Sequence, residues 1–161
     1  MGNIYVATFA AVAVTAAQDV FEIVAPANSR VAIREIRLGQ YSDPGDAQAE
    51  MLSVSIIRGY ATSGSGGSTA TPVPVVGHSG ALASTVTVEI NNTTVASTGT
   101  AVTLCSDSWN VMGGWRFYPV PEERPIVTNS ARLVVRITAP ADSLTMNGTI
   151  VFEELGYGLT S

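Results

Sequence analysis

The chain has 161 residues, 46% of them apolar, which suits one domain with a single core over residues 1–161. A net charge of −5 disfavours binding to nucleic acid, whose phosphates would repel the protein. The single cysteine excludes an intrachain disulfide, and no apolar run reaches the roughly 18 residues that a membrane-spanning helix needs.

Alternation of apolar and polar side chains recurs along the chain and predicts β-strands. The apolar N-terminus, which includes Ile4 and Val6, alternates in this way and lacks a basic region, so we expect a strand there and no signal peptide. Further strands are predicted at Asp19 to Val24, Arg30 to Gln40, Leu52 to Arg58, Thr85 to Ile90, Gly99 to Cys105, Trp115 to Tyr118, Arg132 to Ile137 and Leu144 to Leu155.

Two of these segments contain a local irregularity. In Arg30 to Gln40, Ile33 and Ile36 are three residues apart, so they would face opposite sides of a regular strand. A bulge near Arg34 and Glu35 would place both isoleucines in the core. Asn147-Gly148 is predicted to form a hairpin turn, because both residues tolerate positive φ.

Only Asp46 to Met51 could form a helical turn, with Asp43 as its cap.

The predicted fold class is therefore all-β. Eight or nine short strands without a helical repeat indicate an antiparallel two-sheet sandwich of jelly-roll type, with about eight strands and one long Gly/Ser/Pro loop. A closed barrel is the alternative, and the strand order is left open.

The long loop spans Gly59 to Gly80 and is rich in Gly, Ser, Thr and Pro. Ordering about a dozen such residues costs on the order of 10 to 20 kcal/mol, which their small side chains are not expected to recover within their own domain. We therefore predict a flexible arm, at about residues 59–80, that a partner protein orders. A tolerated disordered insertion is the alternative.

Reactive groups are sparse, so no enzyme activity and no cofactor are predicted. A nucleophilic site would need His78, the single histidine, to lie beside Cys105 or a carboxylate. Asp43, Asp46 and Glu50 could ligate a hard cation, but their spacing is not that of an EF-hand, and turn and capping roles are expected instead.

Aromatic residues are concentrated in the stretch SDSWNVMGGWRFYP, which contains Trp109 and Trp115. Core packing is the expected role of these side chains. The alternative is a platform for stacking sugars, which would make the domain a carbohydrate-binding jelly roll of a head fibre or tail tip. A hydrolase is a third hypothesis, which the substitutions His78→Ala and Glu123→Gln would test.

The strings GQYSDPGDAQAEML, RGYATSGSGGSTATPVP, NNTTVASTGTAVTL, SWNVMGGW, PVPEERPIV and LVVRITAPADSLTMNGTIVFEELG together resemble small structural proteins of tailed bacteriophages and prophages. The resemblance extends from about Tyr5 to Gly156. It implies a non-enzymatic jelly-roll cement or decoration protein on the outer capsid surface, assembled in the bacterial host cytoplasm, with no catalytic residues, metal or cofactor.

The partners that the resemblance implies are the major capsid protein and further copies of the chain, as a dimer or trimer, without nucleic acid or membrane. Every basic residue is arginine, which is enriched at protein interfaces, and the loop and both termini are the expected contact regions. The predicted contact residues are Tyr5, Arg58, Tyr60, Ser63, Ser65, Pro72, Pro74, Arg124, Arg132, Arg136 and Tyr157.

Overall fold

The computed structural model describes residues 3–41, 50–77, 82–141 and 143–156. Within these ranges the chain forms strands joined by turns and two single-turn 3₁₀ helices, at Val111–Gly113 and Pro121–Glu123. The strands are β1 (Asn3–Val14), β2 (Gln18–Val24), β3 (Ser29–Gln40), β4 (Met51–Thr62), β5 (Ser68–Ala70), β6 (Val73–Pro74), β7 (Thr87–Asn92), β8 (Ser97–Asn110), β9 (Trp115–Phe117), β10 (Ile126–Val127), β11 (Arg132–Ile137) and β12 (Leu144–Gly156). No helix in the described ranges has the length and apolarity to cross a membrane.

The strands form two antiparallel sheets. The first has the order β10-β3-β12-β1-β6, with β9 also paired to β3, and the second has the order β5-β7-β2-β11-β4-β8. The chain alternates between the sheets from β1 to β4. It alternates again after β8, because β9 and β10 lie in the first sheet, β11 lies in the second and β12 lies in the first. β12 lies between β3 and β1, and β11 lies between β2 and β4. This interleaving is that of a jelly roll, so the predicted all-β sandwich is confirmed, and the described strands do not close into a single barrel.

The two sheets enclose a core of aliphatic and aromatic side chains from both inner faces. Its largest fully buried members are Tyr5, Phe21, Phe152, Ile23, Ile33, Ile36, Leu52, Ile56, Leu133, Ile137, Leu144 and Met146. Ile33 and Ile36 are both buried because the register between β12 and β3 shifts at Arg34, which lies opposite no residue of β12 in the backbone pairing. The bulge predicted near Arg34 and Glu35 is confirmed.

Asn147-Gly148 does not form the predicted hairpin turn. Both residues lie inside β12, which continues without interruption between β1 and β3. The Asn147 side chain accepts a hydrogen bond from the backbone N–H of Ala11 at 2.8 Å, at a bulge in β1 where Ala11 has a φ of 53°. The local turn signal is overridden because neighbouring strands occupy both edges of this segment.

The segment between β4 and β8 contains β7, which corresponds to the strand predicted at Thr85 to Ile90, and two short strands, β5 and β6, that were not predicted. It contains β5 and β7, which extend the second sheet beyond β2, and β6, which extends the first sheet beyond β1. Residues 73 and 74 pair with Val6 and Tyr5, and residues 68–70 pair with β7. The expectation that residues 59–77 find no partners within their own domain is therefore wrong: backbone hydrogen bonds, which small side chains do not obstruct, order them. Residues 78–80 lie outside the described ranges, as does most of the predicted helical turn.

Candidate interaction site

A buried carboxylate attaches the segment after β4 to the outer face of the second sheet. Glu22 accepts hydrogen bonds from Ser63 Oγ at 2.6 Å, from the Gly64 backbone N–H at 2.9 Å and from Asn92 Nδ2 at 3.2 Å. Arg132 donates from Nε to the same carboxylate, forming an ion pair. Glu22 is fully buried, and such a charge is tolerated only when it is paired and hydrogen-bonded, as it is here.

A second ion pair lies on the same outer face. The Arg136 guanidinium donates to both Asp19 carboxylate oxygens, at 2.7 and 3.1 Å, and to Ala96 O at 2.8 Å. It also donates to the Tyr60 hydroxyl at 2.8 Å and lies 4.8 Å from the centre of that ring. Burial lowers the pKa of Arg136, but the hydrogen bonds and charge of Asp19, together with Tyr60, outweigh it, so the pKa is raised above its ordinary value.

These contacts change the interpretation of several predicted contact residues. Arg132 and Arg136 were expected to be exposed, but their side chains are only 16% and 22% exposed and bind carboxylates of their own domain. Tyr5 is buried against Phe152, and its hydroxyl donates to Leu82 O at 3.1 Å. The alternation of apolar and polar residues in β11 predicted that both arginines lie on a solvent-exposed face. In the structure, residues 60–65 and 94–96 cover that face.

The remaining predicted contact residues are distributed over two places. The residues of the long segment, Tyr60, Ser63, Ser65, Pro72 and Pro74, lie along its path over the domain, and Ser65 forms reciprocal backbone hydrogen bonds with Thr94 at 2.9 Å. Arg58 and Arg124 line a cleft at the opposite edge of the sandwich. Tyr157 lies outside the described residues.

One run of the long segment exposes apolar side chains although its backbone is paired. Val73, Val75 and Val76 are each more than half exposed, and Leu82 is 69% exposed. The run lies beside β1, and Val75 N donates to Ile4 O at 2.9 Å. We call residues 73–76 the valine strip; it is an apolar surface held in place by the sheet.

The cleft has a volume of about 700 Å³ and opens between the sheets where β8 faces residues 116–126. One wall carries Arg58 of β4 with Leu104 and Cys105 of β8, and the opposite wall carries residues of β9, β10 and the second 3₁₀ helix. A bulge at Leu104 in the pairing of β8 with β4 allows Leu104 and its neighbour Cys105 both to line the cleft.

The charges of the cleft are incompletely paired. Arg116 binds Glu35 at 2.7 Å and lies 4.7 Å from the centre of the Tyr118 ring, which is 65% exposed. Arg58 and Arg124 form no ion pair with any described residue, and the Nε of Arg124 is buried without a hydrogen-bond partner. Exposed tyrosine beside arginine is a frequent composition of protein interfaces.

The thiol in the cleft is not activated. Burial raises the pKa of Cys105, and the nearby charge of Asp107 raises it further, so the protonated form prevails at neutral pH. Asp107 itself has a lowered pKa because its carboxylate accepts a hydrogen bond from Trp115 Nε1 at 2.9 Å and another from the Ser108 backbone N–H. A protonated thiol without an adjacent base is a poor nucleophile.

The tryptophans proposed for sugar stacking belong to the core. Trp109 and Trp115 are 6% and 7% exposed, with ring centres 6.3 Å apart, and Trp115 stacks on Phe117. The core-packing interpretation is confirmed for both residues, so a sugar platform built on their exposed faces is not formed.

The remaining candidates for chemistry fall largely outside the described ranges. His78, Asp43 and Asp46 are not described, and the described residues contain no group of three or more His, Cys, Asp or Glu side chains arranged to hold a metal ion. Glu50, the described member of the acidic loop, accepts a hydrogen bond from the Ala141 backbone N–H at 2.6 Å.

The buried carboxylates of β2 were not predicted from the sequence. Asp19 and Glu22 lie three residues apart, which would place them on opposite faces of a regular strand. The register between β11 and β2 passes from Val135–Phe21 to Arg136–Asp19, so Val20 is an extra residue and both acids reach the same face. The available signal was the pair Arg132 and Arg136, whose spacing of four residues places two cations on that face of β11.

No protein-family model, curated protein or solved structure matches this chain.

Proposed function

We propose that the protein is a non-enzymatic structural protein of a bacteriophage virion, which decorates the outer capsid surface and stabilises the head by binding the major capsid protein. The proposal combines the resemblance of the sequence to structural proteins of tailed bacteriophages with the presence of an exposed apolar surface. The valine strip is the observation that carries it.

The valine strip is suited to protein contact because its position is fixed. Exposed apolar side chains that adjoin one another mark interaction surfaces more often than isolated ones do. The backbone of residues 73–75 is paired to β1, so the side chains of the strip need little further ordering when a partner covers them. Burial of three exposed valines would contribute several kcal/mol, at about 25 cal/mol per Å² of apolar surface.

Two further properties support a role in a virion. The net charge of −5 suits a position outside the shell, away from packaged DNA. Repetition of many copies on a symmetric shell raises the effective concentration of each contact, so that a modest single-site affinity is sufficient.

The direct test measures binding to purified capsids from which the protein has been removed. The substitutions Val73→Ser, Val75→Ser and Val76→Ser remove the apolar side chains while they keep the backbone hydrogen bonds to β1. We expect the triple variant to fold with near-unchanged stability and to lose most of its occupancy in a co-sedimentation assay. Wild-type occupancy by the folded triple variant would remove the valine strip from the mechanism, and no binding by the wild-type protein would refute the proposal.

A matched control uses exposed apolar residues elsewhere. Met112→Ser and Val120→Ser change side chains of similar exposure that lie outside the valine strip, and occupancy should be unchanged. Substitution is preferable to deletion of residues 63–70, because deletion would also remove Ser63 and Gly64, which bind the buried Glu22 carboxylate.

A further inference from the structure

The edge of the sandwich opposite the valine strip contains the one long open strand among the described residues. The other sheet edges end in β5, β6, β9 or β10, each of two or three residues, whereas β8 spans 14 residues at the edge of the second sheet. All residues of β8 except Cys105 and Trp109 are exposed. A long open edge offers unpaired N–H and C=O groups to any compatible strand.

The usual protections of an edge strand are few in β8. Proteins block open edges with lysine, proline or several charges, but β8 contains neither lysine nor proline, and its single charge is Asp107. Two register irregularities, at Leu104 and near Gly99, leave the run from Cys105 to Asn110 regular. An antiparallel copy of β8 would pair with this run without a clash of like charges, unless the pairing were centred on Asp107.

The cleft beside β8 is complementary to itself. Arg58 stands on one wall, and Glu122 and Glu123 stand on the other; none of the three forms an ion pair within the described residues. The second wall also carries Arg116, which binds Glu35, and Arg124, which forms no ion pair with a described residue. A two-fold axis through this edge would place Arg58 of each copy against the two glutamates of the other. Leu104 and Tyr118, which are exposed at the same cleft, would be covered between them.

From these observations we infer that β8 and its cleft form an isologous interface with a second copy of this chain, in which two β8 strands pair antiparallel and Arg58 of one copy binds Glu122 and Glu123 of the other. A two-fold interface requires a surface that is complementary to itself, and pairing of Arg58 with Glu122 and Glu123 across the axis satisfies that requirement. The inference depends on the geometry of this edge and does not require the proposed function. It leaves the valine strip, on the opposite edge, free for another partner.

The test is complementation between two variants. Arg58→Glu places three acids in the cleft, and the double substitution Glu122→Arg, Glu123→Arg places an excess of cations there. Sedimentation velocity over a wide range of concentrations should show the wild-type protein as a dimer, and each variant alone should dissociate with a dissociation constant raised by about tenfold or more. Mixed in equal amounts, the two variants should form a heterodimer, because residue 58 of each copy then faces residues 122 and 123 of opposite charge on the other copy.

The controls separate this interface from general effects of charge and folding. Arg30→Glu changes the charge equally at an exposed site of β3 and should leave the wild-type dimer intact. Hydrogen exchange should show protection of β8 amides that increases with concentration. A monomeric wild-type protein, or variants that fold but fail to complement each other, would overturn the inference. Capsid occupancy, measured separately on the dissociated variants, tests the proposed function independently of this result.

Discussion

The ring of Phe9 occupies the space in which a side chain at residue 148 would begin. A Cβ added to Gly148 would lie 2.2 Å from Cε1 of Phe9 and 2.5 Å from its Cζ. Phe9 is buried and packs against Phe21 with a centroid distance of 5.2 Å, so the ring is held from its other side. A glycine in the middle of a long strand is therefore required by packing rather than by a turn.

Gly148→Ala should accordingly destabilise the protein. Displacing a packed aromatic ring typically costs about 1 to 3 kcal/mol, and we expect a reduction of the free energy of unfolding in that range, measured by denaturant titration. Gly39→Ala, also within a strand, is the matched control, because its added Cβ meets nothing within 4 Å. Equal effects of the two substitutions would contradict the role assigned to Phe9.

Glu22→Gln should loosen the segment that follows β4. The substitution leaves the Arg132 charge without its buried partner, which typically costs about 3 kcal/mol or more. Hydrogen exchange should increase at residues 63–65 and 92–94, which surround the carboxylate. Arg30→Gln, at an exposed residue outside the proposed interface, should change the free energy of unfolding by less than about 0.5 kcal/mol. Unchanged exchange in the Glu22 variant would show that the carboxylate does not order this segment.

The carboxyl group of Asp107 should titrate below its ordinary pKa of 3.8 in a carbon-detected NMR experiment. Trp115→Phe removes the Nε1 donor, the largest cause of the lowered pKa, and should raise it. Trp109→Phe is the control, because Trp109 Nε1 has no hydrogen-bond partner. If the two variants shift the pKa equally, the Trp115 hydrogen bond is not its cause.

The same group gives a pH dependence of stability with a defined sign. Because the folded pKa is below the unfolded one, ionised Asp107 stabilises the fold at pH values above 3.8, and this contribution is lost as the pH falls through the folded pKa. Asp107→Asn should therefore be less stable than wild type at neutral pH, and the difference should disappear in acid. A difference that persists at the lowest pH would indicate a cause other than ionisation.

Cys105 should react slowly with iodoacetamide at neutral pH, because burial and the charge of Asp107 raise the pKa of its thiol. Intact-mass measurement should show slower alkylation of the folded than of the unfolded chain, with a rate that increases at alkaline pH. Asp107→Asn should accelerate the reaction only in part, since burial is the larger cause. Rapid alkylation of the folded chain at neutral pH would restore Cys105 as a candidate nucleophile.

The sequence by itself determined most of the longer strands and part of their local form. Period-two alternation located β2, β3, β11 and most of β12, and the change of parity between Ile33 and Ile36 located a bulge. These features can be predicted because alternate side chains of a strand face the core, so the polarity of each residue indicates the face on which it lies. Fold class follows from the same local signal.

Tertiary structure alone decided which strands meet and what covers the outer faces. The Asn147-Gly148 turn signal was overruled because β1 and β3 pair on both sides of β12. Asp19 and Glu22 pair with Arg136 and Arg132 only because β2 contains an extra residue, which brings both acids to the same face. The segment after β4, which is rich in Gly, Ser and Thr and has few apolar side chains, is ordered by backbone pairing and by the buried carboxylate of Glu22. Such contacts join residues far apart in the chain, and their free energies depend on geometry that no local pattern of polarity encodes.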